Sequence, residues 1–212
     1  MIILNNVSIG NIKDLSFYVS SGELLCINDQ DQEKINHLFK VMSGERKPEQ
    51  GVIKYLDKGV YKRDIDRKSL GFVFKENILL KDRTLFENLE YIMQIKDIDM
   101  FSYKSRIRRI LEIVDLKESY NKKPEQLLKH QLKRVNIAQA ILNYPPALIL
   151  EDPTKGLDEL NSLGIIRLLK RLNRFSMTVV LLSTDNNLLI GKDIRRLKIN
   201  NSLNNKKKGS YA

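Results

Sequence analysis

One cysteine and two histidines in 212 residues leave little material for redox or metal chemistry. Cys26 stands alone within an apolar run, so no disulfide framework is available, and it reads as a small core residue. His37 and His130 share no ligand spacing, and no metal site is expected. No apolar run approaches the roughly 18 residues that a membrane-spanning helix needs. The opening Met1-Ile2-Ile3-Leu4-Asn5 lacks the basic segment and long apolar stretch of a secretory signal. Basic stretches interleaved with aromatics, as in single-strand nucleic-acid binders, are also missing, and no nucleic-acid partner is expected. These absences point to the cytoplasm.

What is present is the material of a globular chain. Hydrophobic residues make up 42% and charged residues 30%, enough for one domain with a sizeable core. The formal net charge is +11, with basic residues spread along the chain and a cluster at Lys206-Lys207-Lys208. That balance fits a solvated surface or a position at an anionic membrane face.

The chemistry is organised around residues 147–158. Ala147-Leu148-Ile149-Leu150 reads as a strand buried on both faces, as inside a parallel sheet. Glu151 and Asp152 follow at its C-terminal end, where open α/β sheets bind ligands. Pro153 stops the strand and Gly156 permits a sharp turn. Two acids at a strand tip hold Mg²⁺ and polarise a water, or else Asp152 merely caps the next turn. Upstream, Pro124-Glu125-Gln126-Leu127 leads through a polar segment to an expected helix, Gln131-Leu132-Lys133-Arg134-Val135-Asn136-Ile137-Ala138-Gln139-Ala140-Ile141-Leu142.

This order of motifs resembles the ABC-type ATPases over residues 2 to 198, and within them the FtsE group. Residues 79–89, Leu-Leu-Lys-Asp-Arg-Thr-Leu-Phe-Glu-Asn-Leu, are similar to a segment typical of that group. The resemblance implies an α/β fold of the P-loop NTPase type: a mainly parallel sheet flanked by helices, an antiparallel β-subdomain and an inserted helical subdomain at about residues 76–140. A single domain would span 1–200, followed by a basic polar tail at 201–212 expected to be disordered. The resemblance further implies ATP and Mg²⁺ as cofactors, a homodimer or heterodimer of ABC domains, and an FtsX-like integral membrane partner. Such a chain would lie peripherally on the inner face of the cell membrane. The groove beside residues 75–88 would take the partner, with Phe86 and Tyr91 as contact residues.

Most letters that face nucleotide in that family differ here. The phosphate loop G-x-x-x-x-G-K-[ST] corresponds to residues 28–35. Asn28 and Glu33 replace its glycines, Lys34 matches its lysine, Ile35 replaces its Mg²⁺-binding hydroxyl, and Asn36 follows. Glycine matters there because the loop needs positive φ and bare N–H groups against phosphate. Asp29, Asp31 and Glu33 would also repel a triphosphate. Carboxylates at a helix start, by contrast, satisfy free N–H groups and can pair with Lys34. A helix is expected from Ile35 to Met42.

Elsewhere Lys75 stands where the family has a metal- and water-contacting glutamine, and a lysine side chain only donates. The signature L-S-G-G-Q reads Leu127-Leu128-Lys129-His130-Gln131. Leu128 offers no hydroxyl, and Lys129 and His130 add bulk. Glu151 and Asp152 invert the family's Asp-Glu pair, and Thr184 occupies the switch-histidine position. The expectation is a retained scaffold with a degenerate site, no tight nucleotide binding and no turnover. The alternatives are a slow ATPase working through Lys34 and Glu151, and a basic nucleic-acid binder supported by net charge alone.

Overall fold

The computed structural model describes residues 1–57, 60–62, 69–76, 79–96, 101, 103–185 and 194–199. The expected tail at 201–212 lies outside the described residues.

Alternating burial builds the first sheet. Strands β1 (Ile2–Ile9) and β2 (Ile12–Val19) meet at a turn through Gly10 and Asn11. With β4 (Gln50–Asp57) and β5 (Val60–Lys62) they form an antiparallel sheet ordered β2-β1-β4-β5. The second sheet is parallel and ordered β6-β7-β8-β3-β9. Its strands are β3 (Leu24–Asn28), β6 (Gly71–Val73), β7 (Ala147–Glu151), β8 (Thr178–Ser183) and β9 (Arg195–Lys198).

The three central strands are apolar at every step between their ends because both faces are covered. Leu24, Cys26, Leu148, Leu150, Val179 and Leu181 face one core. Leu25, Ile27, Ala147, Ile149, Val180 and Leu182 face the other. The period of two along each strand thus deals alternate residues to two hydrophobic layers. One layer is completed by α1 (Gln32–Met42) and the antiparallel sheet. The other is completed by α2 (Leu85–Ile95), α3 (Tyr103–Ile113), α4 (Lys129–Ile141) and α5 (Glu159–Arg174). Close approach of α4 to β6 needs Gly71, where a Cβ would fall 2.8 Å from the Ala140 carbonyl oxygen.

Two helix starts differ from the sequence expectation. Helix α1 begins at Gln32 rather than Ile35, because Asp31 is an N-cap and residues 32–34, free of glycine, join the first turn. Helix α4 begins at Lys129, not Gln131, so Lys129 and His130 are first-turn residues. The Gln131 side chain accepts the Leu128 N–H at 3.0 Å and closes that turn. No described helix is long and apolar enough to cross a membrane.

Candidate functional site

Parallel strands carry their C-terminal tips to one edge, and register decides which residues meet there. Asn28 pairs with Ser183 across β3 and β8, and Glu151 with Leu182 across β7 and β8. The N-terminus of α1, the turn after β7, Thr184 after β8 and Lys75 after β6 all border this edge. The structure therefore gathers residues scattered from 28 to 184 in the chain.

At the start of α1 the acidic side chains divide the work. Asp31 accepts from the Glu33 N–H at 2.9 Å and the Lys34 N–H at 3.4 Å, and its other oxygen takes Asn11 Nδ2 at 2.7 Å. Asp29, nearly buried, lies 3.7 Å from Lys34 Nζ and also accepts the Asp31 N–H at 3.0 Å. Asp29 is therefore the partner of Lys34 and Asp31 the cap, while Glu33 is exposed. Asn28 is buried and spent internally: its amide donates to the Asp185 carbonyl at 2.9 Å and accepts from Cys26 Sγ at 3.0 Å. Burial pushes that thiol up to about 12, consistent with a core residue. Ile35 is fully buried in the core, so it projects away from this edge. Asn36 points across to β7 and donates to Glu151 Oε1 at 3.3 Å.

The strand-tip carboxylates are buried and internally bonded. Asp152 takes φ +43, an uncommon conformation outside glycine. Its Oδ1 accepts the Thr184 N–H at 2.8 Å and the Thr184 hydroxyl at 3.2 Å. Lys155 Nζ stands 4.0 Å from its Oδ2 and also bonds Gln32. Thr184 thus anchors Asp152 rather than reaching toward a ligand. A further cation enters from α4: buried Lys133 donates to the Lys75 carbonyl oxygen at 3.0 Å. Desolvation lowers its pKa, while Asp152 pulls in the opposite sense.

The signature residues lie apart from this cluster. Leu128 is exposed and N-caps α4 without a side-chain hydrogen bond, while the Lys129 amine sits against Gly156, whose φ is +75. Half-buried His130 lies within electrostatic reach of Asp158. Asp158 N-caps α5 through the Asn161 N–H at 2.8 Å, the main cause of its lowered pKa. Among the described residues, no three His, Cys, Asp or Glu side chains form a group able to hold a metal ion.

These residues do not fit a Mg²⁺–triphosphate. The helix amides that would receive phosphate oxygens are taken by Asp31, Asp29 neutralises the one loop lysine, and buried Ile35 supplies no oxygen for a metal. Sequence reasoning missed Asn11, which holds Asp31 from twenty residues away, and Lys133. No spacing signal marks Asn11. Lys133 falls one helical turn after Lys129, and only the packing of α4 beside β6 shows that it turns inward.

The expected contact residues differ from each other. Phe86 packs between Tyr103 and Tyr120, with ring centroids 6.3 and 6.4 Å away, and lies against the core. Its aromatic character therefore supports the join of α2 and α3. Tyr91 and Ile95 are exposed on α2. A largely apolar cleft of about 330 Å³ lies between β6, α2 and α4, lined by Phe72, Phe74, Glu76, Ile92, Lys96 and Gln139. The 79–89 segment is held by buried Asn88, which accepts the Leu80 N–H at 2.7 Å and donates to the carbonyls of Leu80, Arg83 and Thr84.

A parallel sheet whose strand tips meet a lysine-bearing loop at the start of a helix, with an antiparallel sheet on one face and helices on the other, defines a nucleotide-binding-cassette architecture. The ABC transporter family model matches residues 36–155, more than half of the chain, and the chain belongs to that family. Among characterised proteins it is 28% identical over 193 residues to the cell division ATP-binding protein FtsE of Escherichia coli strain K12. That match covers 89% of this chain and 87% of that protein. It is also 28% identical over 198 residues to the methionine import ATP-binding protein MetN 1 of Bacillus thuringiensis, covering 86% of this chain and 58% of that one. Among solved structures it resembles the dimeric bacterial ABC transporter cassette MJ0796, with TM-score 0.75, 29% identity, and coverage of 94% and 95% of the two chains. The same cassette is known in a post-hydrolysis state bound to ADP and Pi. The family is one of ATP-binding domains, and the expected fold class agrees with these neighbours.

Proposed function

We propose that this chain is an FtsE-like ABC subunit acting with an FtsX-like integral membrane protein in cell division and cell-wall remodelling, as a pseudo-ATPase. It would work peripherally on the inner face of the cell membrane. Residues 1–200 would serve as one ABC-type domain, with the helical subdomain at about 76–140, paired with a second ABC domain, its own copy or another. Similarity to FtsE supports the process. The exposed Tyr91 and Ile95 on α2, and the apolar cleft that α2 lines with Ile92 and Lys96, support a partner surface.

One observation carries the pseudo-ATPase reading: the residues at the start of α1 satisfy one another. Asp31 caps the amides and Asp29 pairs with Lys34. An incoming triphosphate must displace those bonds and face the carboxylates. One like-charge pair at about 4 Å costs roughly 4 kcal/mol at an effective dielectric near 20. Each 1.4 kcal/mol is about tenfold in affinity.

Calorimetric titration with Mg·ATP, alone and with a co-purified membrane partner, tests the reading. The expected outcome is no binding tighter than millimolar and no hydrolysis above background. Micromolar binding, or a turnover abolished by Lys34→Ala, would sink it and favour a second reading. That reading is a slow but working ATPase subunit of an ABC transporter-type complex. Retention of Lys34 and Glu151 supports it, as does similarity to MetN.

A further inference from the structure

The outer face of α3 carries an open cleft of about 800 Å³ that plays no part in the nucleotide edge or the cleft beside α2. Lys104, Arg108 and Arg109 line it from α3, and Lys117 and Tyr120 from the turn that follows. The side chains of Arg108, Arg109 and Lys117 are exposed and make no hydrogen bond or ion pair among the described residues, and Lys104 lies over the Tyr103 ring. Two carboxylates, Glu112 and Glu118, share the cleft. The third acid of this stretch, Asp115, is already held by Arg134 at 2.6 Å and Arg171 at 3.1 Å. Cations thus outnumber the carboxylates left to balance them, and Lys122 and Lys123 follow in the chain, both exposed.

Phe101, 96% exposed, stands just ahead of α3. Within α3, positions 104, 105 and 108 recur at the spacing of one helical face. An exposed aromatic followed by cations along one row is the arrangement of an element that rests on a lipid surface. The ring sits at headgroup depth and the cations meet phosphate. Guanidinium groups suit this task because their planar fork takes two phosphate oxygens at once.

We propose that the α3 face is a contact site for anionic lipid headgroups, with the Arg108–Arg109–Lys117 cleft taking the phosphate and Phe101 entering the headgroup layer. A nucleic acid would call for a series of stacking rings among the cations, whereas Tyr103 and Tyr120 are packed against Phe86 and leave Phe101 as the exposed ring beside them. The site needs no membrane protein, so it stands or falls separately from the FtsX-like reading.

Vesicle sedimentation provides the test, with the full chain and phosphatidylcholine vesicles made with and without phosphatidylglycerol. Wild type should bind only the anionic vesicles and be released by high salt. A cation near an anionic surface is worth about fivefold in partitioning, so R108Q/R109Q/K117Q should lose on the order of a hundredfold. Phe101→Ser should weaken binding severalfold without changing its salt dependence. A control removing the same charge from exposed Lys13, Lys47 and Lys198 should bind as wild type. Equal binding to both vesicle types, unchanged binding by the triple variant, or an equal loss in the control would each overturn the proposal. Release by single-stranded RNA or polyglutamate at concentrations where phosphatidylglycerol vesicles do not compete would do so too, assigning the cleft to those polyanions.

Discussion

Helices α1 and α2 begin in the same way and end up with opposite significance. Each is opened by a side chain that accepts from its first-turn amides, Asp31 for α1 and Thr84 for α2. At α2 the cap is reciprocal, since Glu87 accepts back from the Thr84 N–H at 2.7 Å, and Asn88 staples the preceding loop. Nothing is displaced by that arrangement, because the helix start lies beside residues 120–122 and away from the strand tips. At α1 the same device sits on the edge where β3, β7 and β8 deliver Asn28, Glu151 and Ser183. A cap there occupies the amides that a phosphate would use. What a helix cap means is therefore set by what the helix points at, not by the cap.

The comparison would break first at Asn88. Asn88→Ala removes a buried side chain that holds the Leu80 N–H and bonds the Leu80, Arg83 and Thr84 carbonyls, and should cost about 2–3 kcal/mol in chemical denaturation. A loss under about 1 kcal/mol would show that the 79–89 segment is kept for a reason other than its own architecture. Next comes Phe86→Asp, which should cost about 2–3 kcal/mol by placing a charge between Tyr103 and Tyr120. Any loss of partner binding in that variant then reports folding as well as contact.

Smaller effects sharpen the α1 side. Asp31→Ala should lower stability by about 1–2 kcal/mol through loss of the cap. Thermal unfolding with and without Mg·ATP should show neither wild type nor variant shifted by nucleotide, whereas bound ligand would raise the midpoint by mass action. A gain of several degrees for wild type would mean that the helix start still accepts phosphate despite its acids. Tyr91→Asp should leave stability within about 0.5 kcal/mol, as expected of an exposed position. It should nevertheless reduce co-purification with an FtsX-like membrane protein; retention at wild-type yield counts against this surface.

The smallest effect concerns acid. Hydrogen bonds from Thr84 hold the Glu87 pKa below its ordinary value, and the Asn161 N–H does the same for Asp158. A carboxylate depressed in the folded state contributes stability above its unfolded pKa and loses it as pH falls through the folded value. Glu87→Gln should therefore flatten the fall of stability below the ordinary carboxylate range, measured by denaturation at stepped pH. An unchanged slope would leave the α2 cap without an electrostatic part.

Local patterns were enough to place the central strands, because a run such as Leu148-Ile149-Leu150 is apolar at every step only if both faces are covered, and 24–27 and 179–182 repeat it. The exchange of the phosphate-loop glycines for Asn28 and Glu33 was equally plain in the letters, since tolerance of positive φ and bare amides depends on residue type. The sequence could not say which acid does what, because Asp29 and Asp31 are chemically alike and only the path of the backbone puts one near Lys34 and the other over the helix amides. It also could not show Asn11 reaching Asp31, Lys133 turning toward Lys75, or Thr184 holding Asp152, since these meet only through strand register and helix packing. Phe86 reads as a surface aromatic in the chain and is made an inward one by the return of residues 103 and 120. Residue chemistry determined what each position could offer. Long-range packing, which brings together groups tens to more than a hundred residues apart, decided what each offer was used for.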